Sequence, residues 1–391
     1  MSKRNNLFIF IFIFIFIFIL AIGAFGIINT EMGVMGILPN IADNFHISVP
    51  TAGLLVSLFA LTVSICAPTT PLLFSGINRK SAMLFVIGMF VVSNIVSLFA
   101  PNFMVAVIAR VIPAIFHPIY FAAAFTMAAT AVPKEEAPIA VSKVLMGISA
   151  GMVVGVPISS FIASTISFEM AMLFFAIVNS IAFIAVLLFV PSMPVKEKLS
   201  YGAQLSVLKK PIVWLAIIAV ISLNSAIYGG YSYLSEYLRT VTNISGNAIS
   251  LILGIYGLTN IIGNIIAGKL ITKHAIQSVT YFPFVLGVVY IILFLMGQFT
   301  VPMAIITLLL GILGGIGANI SQYWITSAAP EAPDFANGLF ISSANLGVTV
   351  GTAVGGLFIS VMGTQYVVLV GLLSLILSAV FILLRRFCCK V

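Results

Sequence analysis

Residues 147–157 read Gly-Ile-Ser-Ala-Gly-Met-Val-Val-Gly-Val-Pro, and residues 347–355 read Gly-Val-Thr-Val-Gly-Thr-Ala-Val-Gly. Each stretch carries three glycines spaced by four: Gly147, Gly151 and Gly155 in the first, Gly347, Gly351 and Gly355 in the second. On a helix this spacing lines one face and lets a neighbouring backbone come close. The triplets are 200 residues apart in a chain of 391, close to half its length. That offset predicts two related halves.

The composition says where such helices live. Hydrophobic residues make up 62% of the chain, charged residues 7%, and the mean hydropathy is +1.26. Soluble domains carry about 25% charged residues, so a cytosolic enzyme, a secreted disulfide scaffold and a long disordered tail are all excluded. Cys66, Cys388 and Cys389 have no metal-binding or disulfide spacing and read as packing and tail residues. Twelve apolar runs begin near Phe10, Thr51, Met83, Phe103, Ile139, Met170, Ile212, Ala248, Val279, Val301, Phe335 and Tyr366. A crossing helix needs about 20 such residues, so twelve spans use most of the chain. We number them span 1 to span 12. The expected fold is an all-α polytopic membrane protein built as two six-helix halves, residues 1–190 and 212–391, joined by a cytoplasmic linker at 191–211.

Span 1 follows Lys3 and Arg4 and alternates Phe and Ile from Phe8 to Ile19. Alternation marks a strand in water, but a lone strand in hydrocarbon leaves its backbone unpaired, so a helix is expected. The run continues to Pro39, too long for a signal core of about 7–15 residues. Orientation follows from the bases, which gather in cytoplasmic loops. With both termini cytoplasmic, 15 of the 17 Lys and Arg fall inside, Arg239 alone falls outside and Arg110 lies within span 4. The net charge of +8 is therefore a topology signal in a plasma (cytoplasmic) membrane protein, and nucleic acid is not a partner.

Several stretches resemble the major facilitator superfamily, and within it the twelve-span drug:proton antiporters of the arabinose-efflux-permease and purine-efflux kind. Glu31-Met-Gly-Val-Met-Gly-Ile-Leu-Pro39 looks like that subgroup's acidic residue followed by Gly-Leu-Leu-Pro. Arg110, His117 and Tyr120-Phe121 look like its pattern in span 4, and Gly147 to Pro157 resembles the antiporter motif of span 5. In the second half Tyr231-Ser-Tyr-Leu, Gly263-Asn264 and the stretch from Ala329-Pro330-Glu331 through Asn345-Leu-Gly347 to Gly355-Gly356 are also similar. The resemblance implies alternating access, export in exchange for protons, and a rocking role for Gly147, Gly151, Gly155 and Pro157. The chain departs from the family in the loop after span 2, usually Gly-x-x-x-Asp-Arg-x-Gly-Arg-Lys. Only Arg79-Lys80 and Gly76 remain there, without the Asp. Thr272 stands where an Asp is common after span 8, and Phe168-Glu169 where Trp-Arg often opens span 6.

Of nine acidic residues, eight fall at span ends or in loops, with Glu236 expected in solvent beyond span 7. Glu31 alone lies well inside a span, where a carboxyl group is costly and usually serves an ion or proton pathway. At 1.5 Å per residue Glu31 is about 12 Å below the outer surface and Arg110 about 10 Å. The two charges are thus level, and the resemblance puts their spans on one central cavity. His117, seven residues past Arg110, shares its helix face. Glu31, Arg110 and His117 form the expected proton-coupling set, with Glu31 exchanging Arg110 for a proton and His117 relaying it. A static ion pair fixing helix register is the alternative role.

Further candidates for the substrate cavity are Asn29, Tyr120, Asn224, Tyr228, Tyr231, Asn319 and Gln322, whose amides and phenols suit uncharged or partly aromatic solutes. Taken singly, each also reads as helix-to-helix glue. No nucleotide-binding loop or hydrolase motif is present, so neither ATP-driven pumping within this chain nor enzymatic chemistry is expected. The expectation is a monomeric secondary transporter that exports small organic molecules (drugs, sugars or purines) against protons, with the proton gradient as its energy source and no cofactor. An importer or uncoupled facilitator of sugars or nucleosides is the first alternative, and a membrane receptor or intramembrane enzyme a remote one.

Overall fold

The computed structural model describes residues 3–74, 76–133, 136–193, 204–331 and 333–388. These residues are helical almost throughout, and among them no strand occurs. Hydrocarbon offers no partner to an open backbone, so each apolar run closes its hydrogen bonds within itself as a helix. Even the Phe-Ile alternation of span 1 does so, in the single helix Lys3–Gly36.

Span 2 is Leu54–Cys66 with a lead-in at Val49–Ala52, span 3 is Arg79–Leu98 and span 4 is Phe103–Thr130. Span 5 runs in three pieces, Ala137–Ala150, a π-helical turn Gly151–Gly155, and Val156–Thr165. Span 6 is Phe168–Phe189 and span 7 is Pro211–Ser232. Spans 8 and 9 form one 51-residue stretch, Gly246–Met296, broken at His274. At 1.5 Å per residue this would reach about 75 Å, more than twice a hydrocarbon core. It therefore crosses twice, and the loop expected around Lys269–Lys273 is a helical bend instead. Spans 10, 11 and 12 are Thr300–Thr326, Pro333–Met362 and Val367–Cys388. Twelve crossings bring both ends of the chain to one side of the bundle, called here the termini side; the opposite is the far side. The expected linker lies outside the described residues over 194–203, as do Lys134, Glu135, Cys389 and Lys390.

The glycine triplets make equivalent seams in the two halves. Span 5 lies on span 1 so closely that a Cβ on Gly147 would sit 2.2 Å from the Ala21 carbonyl oxygen, and one on Gly151 would sit 3.1 Å from that of Phe25. In the other half a Cβ on Gly347 would sit 2.7 Å from the Ile221 carbonyl oxygen, and one on Gly351 would sit 2.4 Å from that of Ser225. Each glycine and each of these carbonyls has its counterpart 200 residues on. The duplication legible in the glycines thus extends to the surfaces they touch.

Between the halves, span 2 packs on span 11 and span 5 on span 8. Ser64 Oγ donates to the Ser342 carbonyl at 2.9 Å, and Thr349 Oγ1 to that of Ser57 at 3.2 Å. Spans 5 and 8 touch toward the far side, where Ser250 Oγ donates to Ser160 Oγ at 3.0 Å and a Cβ on Gly257 would lie 2.7 Å from the Val153 Cα. Gly246–Met296 packs on Gly151–Gly155 and Val156–Thr165 but not comparably on Ala137–Ala150, so spans 5 and 8 part toward the termini side, where a Cβ on Gly268 would meet nothing within 4 Å.

Prolines free carbonyls that the tertiary structure then uses. Pro39 has no N–H to offer Met35, four residues back. The Met35 carbonyl accepts instead from Ser235 Oγ of the other half, at 3.0 Å. Pro113 frees the Ala109 carbonyl in the same way, and Ser93 Oγ donates to it. Pro157 follows the π turn and removes the ordinary bond to Val153, which accounts for the local loosening of span 5. Arg385, one of the bases used to orient the chain, is fully buried on the termini side. Its guanidinium lies 3.8 Å from the Trp324 ring centroid and donates to Ser327 Oγ at 2.9 Å.

Candidate functional site

Glu31, Arg110 and His117 come together inside the N-terminal half, each less than a tenth exposed. Their arrangement differs from the one expected. Arg110 does not pair with the Glu31 carboxylate; its guanidinium donates to three backbone carbonyls, Nε to Leu55 at 3.0 Å, Nη1 to Thr30 at 3.0 Å and Nη2 to Glu31 at 2.6 Å. It also lies 5.0 Å from the Phe59 ring centroid. The carboxylate instead turns toward the termini side, and its Oε2 comes within 3.0 Å of His117 Nε2. The two atoms are in contact without forming a hydrogen bond. The expected Glu31–Arg110 pair is thus replaced by a Glu31–His117 contact, and Arg110 ties span 4 to spans 1 and 2.

The imidazole is caged by Phe59, Phe90 and Phe121, at centroid distances of 5.9, 6.5 and 4.8 Å. The rings keep bulk water from the pair. Above it is a polar belt that the sequence reading missed. Thr30 Oγ1 accepts from Asn94 Nδ2 of span 3 at 3.2 Å and from Asn179 Nδ2 of span 6 at 2.9 Å, and donates to the Gly26 carbonyl at 3.1 Å. Single asparagines in otherwise apolar spans were the available signal.

The remaining cavity candidates divide. Tyr228 and Tyr231 stand together at 6.3 Å between centroids, and Tyr231 stacks on Tyr256 at 4.4 Å. Tyr231, Tyr256, Tyr237 and Tyr290 line a narrow pocket within the C-terminal half. Asn29 is fully buried behind Gly155, with neither amide atom hydrogen-bonded. Three others join helices to one another. Tyr120 is sealed with its hydroxyl on the Leu20 carbonyl at 2.8 Å, Asn224 Nδ2 bonds the Val220 carbonyl and Ser321 Oγ, and Asn319 Nδ2 bonds Asn264 Oδ1 at 2.6 Å. Gln322 is exposed and bonds Asn337 Oδ1 at 3.2 Å. Among the described residues, no three His, Cys, Asp or Glu side chains gather as a metal would require.

Comparison with known proteins decides the family. The model of the Major Facilitator Superfamily matches residues 13–332 and 231–387. The chain belongs to the major facilitator superfamily. It is 30% identical to the inner membrane transport protein YdhP of Escherichia coli (strain K12) over 370 residues, 94% of this chain and 95% of that one. It is 26% identical to the putative transporter AraJ of the same organism over 271 residues, 68% and 69% of the two chains. The fold is similar to a crystal structure of a bacterial homologue of the human lysosomal transporter Spinster in an inward-facing, unoccupied conformation. That match has a TM-score of 0.75 and 14% identity and covers 100% of this chain and 99% of the other. This major facilitator is a multi-pass membrane transport protein. In its reduced loop after span 2, Arg79 and Lys80 bind within their own half. The Arg79 N–H donates to the Met193 carbonyl at 3.3 Å and Lys80 Nζ to that of Leu187 at 2.8 Å, both at the end of span 6.

Proposed function

We propose that the protein is a proton-coupled exporter of small organic molecules that works by alternating access. The observation that carries this reading is the buried Glu31–His117 pair. A carboxylate and an imidazole in contact hold one or two protons according to access, and imidazole titrates near neutral pH. Arg110 keeps its charge throughout and holds span 1 in register while that proton count changes.

Export, as opposed to import, is supported by the resemblance of Gly147–Pro157 to an antiporter motif and by its placement against span 1, with a π turn at Gly151–Gly155. The distribution of Lys and Arg supports termini in the cytoplasm, which makes the far side external. The divergence of spans 5 and 8 toward Gly268 then corresponds to an inward-facing state. The phenols of Tyr228 and Tyr231 suit a neutral or weakly basic, partly aromatic solute. The proton gradient supplies the energy, and a monomer contains every residue of this mechanism.

The test is transport by the purified protein in vesicles with an imposed pH gradient, screened across drugs, sugars and purines. Glu31→Gln is expected to abolish gradient-driven movement while leaving the protein folded. Undiminished gradient-driven transport by that variant would overturn the coupling role.

A further inference from the structure

Among the described residues, Glu236 is the second buried carboxyl group. Contrary to the position in solvent expected from sequence, it is 7% exposed. The helix of span 7 breaks at Tyr233 and restarts as Leu234–Thr240, which packs against the helix Leu38–Phe45 of the other half and turns Glu236 inward. Arg239, one turn on, places Nε 3.2 Å from Glu236 Oε2, and its Nη1 donates to Asp43 Oδ2 at 2.7 Å. One cation therefore serves two carboxylates, one from each half. The Asp43 side chain is 66% exposed and that of Glu236 is 9% exposed, so of the two carboxylates Glu236 is the one shut away, on a helix packed against both halves.

Leu234–Thr240 also packs on spans 1 and 7, on the stretch Gly246–Met296 and on Thr364–Tyr366. Among the described residues, the charged groups whose fields reach Glu236 are Arg239 on its own helix and Asp43 from the other half. Burial pushes the Glu236 carboxyl above the usual carboxylate range; the charge of Arg239 opposes this and that of Asp43 adds to it. Parting the halves on the far side would wet Glu236 and carry Asp43 away, removing both of the influences that favour the protonated form.

We infer that Glu236 is a second proton-binding site of the transport cycle, occupied while the far side is closed and emptied when it opens. This rests on the alternating-access reading given above. The proton comes from water on the far side and returns to it. Because the closed state binds it more tightly, acid on the far side favours closure, as linkage requires. Protons that load Glu31 from outside would then also shut the entrance behind themselves.

The experiment measures the distance across the far side by paired spin labels on the full chain in lipid nanodiscs. Labels go on Asn44→Cys and Asn247→Cys, both exposed positions, with Cys66, Cys388 and Cys389 changed to Ser. Glu31→Gln, His117→Asn and His46→Asn remove other ionisable side chains of the same half. From pH 8 to pH 5 the short-distance population is expected to grow in this parent. Glu236→Gln should hold that population high and flat across the range. Arg239→Gln, which removes the opposing cation, should move the midpoint upward by about one pH unit. A parent without a pH response, the same response after Glu236→Gln, or a midpoint unmoved by Arg239→Gln would each overturn the assignment. The distances are read without transport, so failure here is separable from failure of the coupling role of Glu31.

Discussion

His117 Nε2 lies 3.0 Å from Glu31 Oε2, with the two side chains 8% and 7% exposed. The guanidinium that could have neutralised the same carboxylate is spent on the carbonyls of Leu55, Thr30 and Glu31. The base facing Glu31 is thus one that can lose its charge, while the one beside it cannot. In the proposed coupling the two residues act as one unit.

A double-mutant cycle reads this coupling. Glu31→Gln and His117→Asn should each lower gradient-driven transport by about tenfold or more, since either leaves the other without a partner for proton exchange. The double variant should be little worse than either single one. In thermal unfolding the same cycle should give a coupling free energy of about 1–3 kcal/mol. Additive losses in both assays would mean that the two residues act independently.

Arg110→Lys is expected to fail as a conservative change. Three carbonyls on two helices are reached by the planar fork of Arg110, and a single ammonium cannot span them. Each lost charge-assisted bond costs about 1.5–3 kcal/mol, so the variant should unfold several degrees lower and transport poorly. A melting temperature equal to that of the parent would show that the carbonyl clamp is not needed.

The spans, the two halves and the glycine seams were legible because apolar runs and four-residue spacing report directly on lipid and close packing. That Glu31 and Arg110 are level was legible for the same reason, as rise per residue is fixed and the Arg110 guanidinium reaches the Glu31 carbonyl. Which base meets the carboxylate was not. That choice depends on the Leu55 carbonyl of span 2, which draws the Arg110 guanidinium onto backbone oxygens, and no spacing within spans 1 and 4 reports it. Glu236 was misplaced because distance along the chain from span 7 takes no account of the break at Tyr233, which folds the next turn back against Asp43's helix. Tyr120 was assigned to a cavity by residue type, whereas Gly23 opposite it makes room for the ring between helices.

The equivalence of the seams predicts equivalent sensitivity. Gly147→Ala and Gly351→Ala should each destabilise by about 1–3 kcal/mol, because a Cβ would press on a carbonyl oxygen that cannot move without its helix. Gly268→Ala, with open space around it, should be neutral or slightly stabilising. Thermal unfolding in detergent compares all three. A Gly268→Ala loss as large as the others would show that the effect is not one of close approach.

Glu236 also gives a pH signature in stability. Its carboxyl is raised by burial, so its contribution to folding is fully present below the ordinary carboxylate range and is lost as pH rises through its folded value. Glu236→Gln mimics the protonated form and should unfold at a higher temperature than the parent near pH 7. The advantage should shrink to nothing toward pH 4. An advantage that grew on acidification would reverse the sign of the burial effect.

The Met35 carbonyl, left without a helical donor by Pro39 and held by Ser235 of the opposite half, sets a rule for the moving interface. An oxygen already outside its own helix ladder can accept from a serine when the halves meet and from water when they part, with the same number of hydrogen bonds in each case. Neither state is then trapped by polar bonds it cannot replace. In the proposed cycle, a proline just past the first span would thus act as a solvent-exchangeable fastening, letting one surface be joined and released many times without unwinding the helix before it.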